Sequence, residues 1–257
     1  MTTSRLSCSL LLAFLCFAFL LQAQNSQPSN APEEKSKEQL LKENEQLLRT
    51  KNDWPNFARY RDANEKLALP AANEKRVVFM GNSITDGWIR SSPEFFAGKS
   101  YVDRGISGQT TPQMLVRFRA DVINLKPKAV LILGGTNDIA GNTGPSTLEM
   151  IEDNLASMAE LGKANGIKVI LCSILPVYDY PWKPGLEPAE KIVTVNKWLK
   201  EYAAKNGCDY LDYFSSLVDE RKGMKSAYSG DGVHPNKEGY KVMELLAEEA
   251  IKKALKK

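Results

Sequence analysis

The residues best suited to chemistry in this chain are Ser83 and His234, the only histidine in the sequence. Ser83 follows a short apolar run, Val77-Val78-Phe79-Met80, that predicts a buried strand ending at Gly81. A serine on a strand-to-helix turn lies at the carboxyl edge of an open α/β sheet, where ligands bind. Because a serine hydroxyl is a weak nucleophile alone, it needs a base and donors for the oxyanion.

The remaining loops supply groups of the required kinds. Asp231 precedes His234 by three residues on a tight loop, so its carboxylate can orient the imidazole and stabilise its charged form. We expect Ser83 to attack an acyl carbonyl, with His234 taking the serine proton and later giving it to the leaving alcohol. The oxyanion would be held by the N–H of Ser83, the N–H of Gly108 and the side-chain amide of Asn137. A glycine at position 108 lets the backbone approach a ligand closely.

Taken singly, each of these residues also has an ordinary structural interpretation. Ser83 could cap a helix, His234 could be a packed loop residue, and Asn137 could belong to a turn. Their combination favours catalysis over these alternatives. Asp138, which follows Asn137, is expected to be structural, and so are the glycines at 134 and 135.

From residue 76 onward, apolar runs typical of strands alternate with longer segments typical of helices. This alternation predicts a parallel sheet with helices on both faces. The loops after the first three strands then lie along one edge, which the loop at 231–236 can reach just before the last helix. The predicted strands are 76–80, 101–103, 129–133, 168–174 and 209–212, and the predicted helices are about 111–125, 147–165, 188–206 and 237–255.

The first residues have the composition of an export signal. Arg5 precedes an apolar run at 10–21, and the small residue Ala23 precedes a polar stretch, which predicts a secretory signal peptide over residues 1–23. The apolar run is short for a membrane anchor, so we expect no membrane span after cleavage. Lipidation at Cys16 is disfavoured by the large residue before it. The predicted location is the periplasm or the medium.

Three further segments complete the predicted organisation. Polar residues with two prolines predict a disordered linker at 24–36. Leucines among charges predict an amphipathic helix within 38–49, and Asp53 and Pro55 predict the start of a second helix. We expect the helices of residues 37–70 to pack on the outside of a single domain that spans residues 71–257.

Composition excludes several classes of function. The 257 residues suffice for one large domain, and the net charge of +3 is scattered, unlike the clustered basic face of a nucleic-acid-binding protein.

Without the signal peptide, the cysteines that remain are Cys172 and Cys208. Secretion permits a disulfide between them, although their apolar surroundings favour buried thiols. One histidine and this cysteine spacing do not suggest a metal site, and the sequence does not indicate an oligomeric state.

Four blocks of this sequence resemble those of the SGNH/GDSL hydrolase superfamily, in the family's order and within about residues 75–250. They are Gly81-Asn82-Ser83, Gly108, Gly135-Thr136-Asn137-Asp138 and Asp231-x-x-His234. The resemblance implies a flavodoxin-like three-layer α/β/α sandwich with a five-stranded parallel sheet, and ester hydrolysis without a metal or another cofactor. It also implies a catalytic triad of Ser83, Asp231 and His234, and an oxyanion hole formed by Ser83, Gly108 and Asn137.

The first block departs from the family at one position. The family usually has Asp where this chain has Asn82. Asparagine keeps the capacity for hydrogen bonding but loses the charge, which alters the local electrostatics and leaves the nucleophile in place.

The loop at 176–185, rich in aromatic residues and prolines, follows the fourth predicted strand at the same edge. Aromatic faces suit sugar rings and core packing equally, so Trp182 and Tyr180 are candidates for substrate contact. Its segment Pro181-Trp182-Lys183-Pro184-Gly185 and the segment Arg59-Tyr60-Arg61 resemble parts of secreted bacterial esterases. Those esterases are grouped with acetylhydrolases that resemble platelet-activating-factor acetylhydrolase and with carbohydrate acetylesterases.

We therefore expect a secreted serine esterase that removes short acyl groups, above all acetyl, from a small-molecule or glycan ester. Two alternatives stay open at this point. One is a lysophospholipase or phospholipid acetylhydrolase. The other is a catalytically inactive carbohydrate-binding protein on the same fold, for which Asn82 is the only support.

Overall fold

The sheet is built from the apolar runs that the sequence predicts as strands. The structure, a computed structural model, describes residues 36–256, apart from the side chains of residues 46, 49 and 50. All strand pairs are parallel, and the strand order is β2-β1-β3-β4-β5. The strands are β1 (Val77–Gly81), β2 (Tyr101–Gly105), β3 (Ala129–Leu133), β4 (Lys168–Cys172) and β5 (Asp209–Leu211).

Helices cover both faces of the sheet. In β1, Val78 and Met80 belong to one core cluster, and Val77 and Phe79 belong to the other, because successive side chains of a strand point to opposite faces. Burial on both sides explains why the central strands β1 and β3 contain no polar side chain. The helices are α1 (Lys37–Asn52), α2 (Arg61–Lys66), α3 (Ser83–Ser91), α4 (Pro93–Phe96), α5 (Thr111–Asp121), α6 (Thr136–Ile139), α7 (Leu148–Ala164), α8 (Pro188–Asn206), α9 (Phe214–Leu217) and α10 (Lys237–Ala254).

The two cores divide these helices between the two faces. Helices α5, α7 and α8 pack on one face, through residues that include Met114, Leu155 and Val195. Helices α3 and α10 pack on the other face, through residues that include Trp88 and Met243. The predicted three-layer α/β/α sandwich with a five-stranded parallel sheet is confirmed.

Several element boundaries differ from the prediction by one to four residues, among them the ends of β4 and α5. β4 ends at Cys172 rather than at 174, because the side-chain amide of Asn196, and not a neighbouring strand, bonds the backbone of Ile174. Ile174 N–H donates to Asn196 Oδ1 at 2.7 Å, and Asn196 Nδ2 donates to Ile174 O at 2.9 Å. α5 ends at Asp121, and a separate 3₁₀ turn, Ile123–Leu125, follows it.

The described part of the chain falls into two units, residues 36–47 and 48–256. The first unit includes the start of α1, where Leu40 and Leu41 are exposed. The predicted signal peptide (1–23), and all but the last residue of the predicted linker (24–36), lie outside the described residues. Within residues 36–256, no helix combines the length and apolar character needed to cross a membrane.

The second predicted helix starts later than the sequence indicates. The carboxylate of Asp53 does accept hydrogen bonds, from the N–H groups of Phe57 and Ala58 at 2.8 and 2.9 Å. Asn56, however, adopts a left-handed conformation with φ of 56°, which breaks the segment into a 3₁₀ turn (Phe57–Arg59) and the short α2. Tyr60, between them, is buried, and its hydroxyl donates to Gly105 O at 2.5 Å.

Candidate active site

Ser83 is the first residue of α3, directly after β1 and the N-cap residue Asn82. The Oδ1 atom of Asn82 accepts a hydrogen bond from Ile84 N–H at 3.3 Å, which is a capping role that asparagine and aspartate both fill. Gly81 is sterically required, since a Cβ atom there would lie 2.1 Å from Thr85 Oγ1 and 2.9 Å from Leu133 O. The sequence therefore places the serine on a tightly packed turn at the carboxyl end of the sheet.

The structure brings Ser83 together with His234 and Asp231. The Oγ atom of Ser83 lies 2.9 Å from His234 Nε2, and His234 Nδ1 lies 2.7 Å from Asp231 Oδ2. When Nδ1 donates to the carboxylate, Nε2 is left as the acceptor for the serine proton. This is the nucleophile–base–carboxylate geometry that an activated serine requires.

The carboxylate of Asp231 is held by several donors of its own loop. Its Oδ1 atom accepts from the N–H groups of His234 and Val233, at 2.8 and 2.9 Å, and from Ser229 Oγ at 3.1 Å. Partial burial by itself raises the pKa of Asp231, but the hydrogen bonds from His234 and Val233 outweigh it and lower this pKa to about 2. The carboxylate is therefore charged at neutral pH and can stabilise an imidazolium.

Gly108 lies on the loop that follows β2, and Asn137 lies in the short helix α6, which follows β3. Strands β2 and β3 are the two neighbours of β1 in the sheet. Gly108 has a φ of +79° and open space where a Cβ atom would be. Asn137 is buried, and its Nδ2 donates to Gln109 O at 2.8 Å. This bond joins α6 to the loop after β2 and uses one of the two amide hydrogens that an asparagine carries.

Asp138 supports the site from inside the protein. Its buried carboxylate accepts from Thr111 N–H at 3.0 Å and from Thr111 Oγ1 at 2.6 Å. Burial raises the pKa of Asp138, and the hydrogen bonds from Thr111 partly offset that rise. These contacts tie α6 to the first residue of α5, in agreement with the expected structural role.

The aromatic loop presents one of its two candidate residues to the site. Trp182 is 49% exposed, and its ring centroid lies 6.1 Å from that of His234. Tyr180 is fully buried beneath it, with ring centroids 5.2 Å apart, and its hydroxyl donates to Thr136 O at 2.8 Å. The burial of Tyr180 argues against substrate contact and gives this residue a supporting position under Trp182.

Asp86, one turn after Ser83 in α3, links this helix to the loop that carries Gly108, and the sequence analysis did not predict this contact. Its carboxylate accepts from Ser107 Oγ at 2.5 Å and pairs with Arg90 at 3.1 Å. Burial raises the pKa of Asp86, but the bonds from Ser107 and Arg90 prevail and lower it. Its spacing of three residues from Ser83 places it near the site in a helix, and this is the only sequence signal for it. Its partner Ser107, next to Gly108, is 21 residues away along the chain, so the sequence does not indicate the contact.

The two cysteines within the described residues are not paired. Cys172 is buried in β4 and Cys208 is half-buried. Burial raises the pKa of both thiols, as expected for cysteines that serve as packing residues.

Similarity to known proteins agrees with this geometry. The profile of the GDSL-like lipase/acylhydrolase family matches residues 79–242, more than half of the chain. The chain belongs to this family. Membership places the protein among the carboxylic ester hydrolases and confirms the resemblance to the SGNH/GDSL superfamily.

Three proteins similar to this chain are a GDSL-like lipase and two esterases. A GDSL-like lipase from Bacteroides thetaiotaomicron VPI-5482 is 50% identical, with a TM-score of 0.76 over 78% of this chain and 98% of that one. Esterase TesA of Pseudomonas aeruginosa is 31% identical over 61% of this chain and 73% of its own length. The acetylxylan esterase of Xylanibacter ruminicola is 26% identical over 82% of this chain. This chain spans 48% of the length of that acetylxylan esterase.

Proposed function

We propose that this protein is a secreted serine esterase that removes short acyl groups, above all acetyl, from carbohydrate hydroxyl groups. The observation that carries the proposal is the continuous hydrogen-bonded chain from Ser83 Oγ through the imidazole of His234 to Asp231. A catalytically inactive carbohydrate-binding protein would have no need of this arrangement.

In the first half-reaction, Ser83 Oγ attacks the carbonyl carbon of the ester while His234 Nε2 takes the serine proton. The ionised Asp231 stabilises the resulting imidazolium. The carbonyl oxygen becomes an oxyanion, which Ser83 N–H, Gly108 N–H and Asn137 Nδ2 would stabilise. When the intermediate collapses, the bond to the sugar oxygen breaks, and that oxygen receives the proton from His234.

In the second half-reaction, water replaces the sugar. His234 Nε2 takes a proton from the water molecule as its oxygen attacks the acyl–Ser83 carbonyl. The same donors stabilise the second oxyanion. Collapse then breaks the bond to Ser83 Oγ, which regains its proton from His234, and the carboxylic acid leaves.

The carbohydrate assignment is supported by Trp182 and by similarity to the acetylxylan esterase. The half-exposed indole lies beside His234, where its face could pack against the sugar whose oxygen leaves.

Secretion is supported by the basic and apolar pattern of residues 1–23. N-terminal sequencing of the exported protein tests this point, and a mature terminus near residue 24 is the expected result.

The first experiment is hydrolysis of p-nitrophenyl esters from acetate to palmitate by the wild type, by Ser83→Ala and by the exposed control Ser226→Ala. We expect the highest rate for acetate, no activity in Ser83→Ala, and an unchanged rate in Ser226→Ala. Release of acetate from acetylated xylo-oligosaccharides then tests the alcohol. A preference for palmitate, or hydrolysis of phospholipids in place of glycans, would favour the lipid esterase instead.

A further inference from the structure

Arg117 in α5 is the charged residue buried most completely beneath the candidate site, with 0% exposure. Its guanidinium donates four hydrogen bonds between 2.6 and 2.9 Å. The acceptors are Gln109 Oε1, Asp121 Oδ2, Gly81 O and Arg104 O. A planar guanidinium can donate hydrogen bonds in several fixed directions at once, whereas a lysine ammonium cannot reproduce this planar arrangement of donors.

Three of these acceptors lie at the ends of the segments that form the site. Gly81 ends β1, two residues before Ser83, and Arg104 is the penultimate residue of β2, which leads into the Gly108 loop. Gln109 directly follows Gly108. The arginine therefore connects the nucleophile strand with the loop whose N–H is expected to face the oxyanion.

Gln109 extends this connection to the third oxyanion donor. Its side chain is fixed at both ends, because Oε1 accepts from Arg117 Nε at 2.6 Å and Nε2 donates to Pro55 O at 2.7 Å. Its backbone carbonyl accepts from Asn137 Nδ2 at 2.8 Å. The position of the Gln109 peptide thus determines both the orientation of the Asn137 amide and the place of the preceding Gly108.

Charge compensation alone does not explain this arrangement. Asp121 already pairs with Arg117 at 2.8 Å and is itself buried, so the charge is neutralised within one turn of α5. The bonds to Gly81, Arg104 and Gln109 go to neutral oxygens and cross between segments. They fix relative positions, which matter because oxyanion donors must be preorganised to stabilise a transition state.

We propose that Arg117 is a positioning residue for the oxyanion hole and acts through Gln109 on Gly108 and Asn137. This inference rests on the proposed ester hydrolysis. Removing the Arg117–Gln109 bond should loosen the donors without removing any of them. Because small misplacements at a reacting centre cost up to about 100-fold in rate, we expect a loss in kcat of about 10- to 100-fold with little change in KM.

The test variant is Gln109→Met, which removes the acceptor for Arg117 at similar side-chain length. Gln109→Glu keeps the acceptor for Arg117 and loses only the donor to Pro55 O, so its activity should exceed that of Gln109→Met. The control is Ile251→Ala, a buried position of α10 in the core on the opposite face of the sheet from α5. It should lower the melting temperature with kcat within about twofold of the wild type, in contrast to Gln109→Met.

A double-mutant cycle provides a readout that loss of stability would not change. If Gln109 acts through Asn137 as well as Gly108, Gln109→Met should reduce kcat by a smaller factor in the Asn137→Ala background than in the wild type. An alkyl boronic acid, which forms a tetrahedral adduct with an active serine, should likewise bind Gln109→Met about 10-fold or more weakly than the wild type.

The outcomes separate this inference from the proposed function. A wild type without esterase activity, or an active Ser83→Ala, would overturn the proposed function. An active wild type with unchanged kcat in a folded Gln109→Met, or with additive losses in the cycle, would overturn the role of Arg117 alone. If Gln109→Met does not fold, Arg117→Lys is assayed in its place, and an unchanged kcat in that variant would equally overturn the role.

Discussion

His234 Nε2 lies 2.9 Å from Ser83 Oγ, although 151 residues separate them along the chain. The helices that follow the two residues are joined directly, since the hydroxyl of Tyr240 in α10 donates to Ile84 O in α3 at 2.8 Å. Gly87 permits this approach, because a Cβ atom there would lie 2.9 Å from the Tyr240 hydroxyl. The meeting of the serine and the histidine is therefore built into the packing of α3 against α10.

The first prediction concerns the charge on Asp231. Asp231→Asn keeps the size of the side chain but removes the charge that stabilises the imidazolium, so kcat should fall by roughly 10³- to 10⁴-fold. Steady-state kinetics on p-nitrophenyl acetate measure this loss. The exposed Asp153→Asn should retain wild-type kinetics, and a full-rate Asp231→Asn enzyme would contradict the role.

The same carboxylate should also contribute to stability in acid. Its pKa is about 2 in the folded protein, below the ordinary value of 3.8, so the unfolded state binds more protons between these values. The contribution of Asp231 is therefore present above about pH 4 and is lost as the pH falls toward 2. Urea unfolding across this range should show the difference between wild type and Asp231→Asn shrinking as the pH falls.

The second prediction concerns Asn137. Asn137→Ala removes one oxyanion donor and should lower kcat by roughly 10²- to 10³-fold, or about 3–4 kcal/mol in the barrier. Substrate binding changes less, because the oxyanion exists only in the transition state. Asn165→Ala, which alters an exposed amide bonded to Leu161 O at 2.7 Å, is the control. Unchanged turnover in Asn137→Ala would rule out the donor role.

The third prediction concerns Trp182 and distinguishes recognition of the sugar from recognition of the acyl group. Trp182→Ala should raise KM for acetylated xylo-oligosaccharides by roughly 10-fold, because stacking of an aromatic face contributes about 0.5–1.5 kcal/mol beyond area burial. Its effect on p-nitrophenyl acetate should be smaller. Trp54, 37% exposed, offers a comparison with a tryptophan elsewhere on the surface. Equal effects on both substrates would indicate that Trp182 acts on His234 and not on the sugar.

The fourth prediction concerns the buried carboxyl of Asp103 in β2. Its Oδ2 atom has no hydrogen-bond partner among residues 36–256, and burial raises its pKa to about 7 against the ordinary 3.8, although Gly105 N–H donates to its other oxygen. The folded state then holds a proton that the unfolded state releases. The contribution of Asp103 to stability is therefore complete below about pH 4 and is lost as the pH rises through 7.

Thermal unfolding between pH 4 and 8 tests this prediction. Asp103→Asn has no proton to lose, so its melting temperature should depend less on pH than that of the wild type. Asp62→Asn, at an exposed position in α2, should keep the wild-type slope. Equal slopes in Asp103→Asn and the wild type would show that Asp103 titrates normally.

The predictability of the fold follows from the burial of the sheet. Because helices cover both faces, all five residues of β1 and of β3 are buried, and such strands appear in the sequence as uninterrupted apolar runs. The ends of helices and strands were less predictable where a local conformation or a side-chain hydrogen bond overrode the pattern. The left-handed Asn56 and the side chain of Asn196 are the two clearest cases.

The sequence by itself determined the sheet, the family and the residues of the hydrogen-bonded chain, since these depend on local patterning and on the scarcity of histidine. Only the tertiary structure decided that Tyr180 is buried while Trp182 is exposed, and that Cys172 and Cys208 are free. It also decided that Arg117 reaches Gly81 and Gln109. Burial and hydrogen-bond partners depend on segments far apart in the chain, and those segments meet only when the helices pack on the sheet.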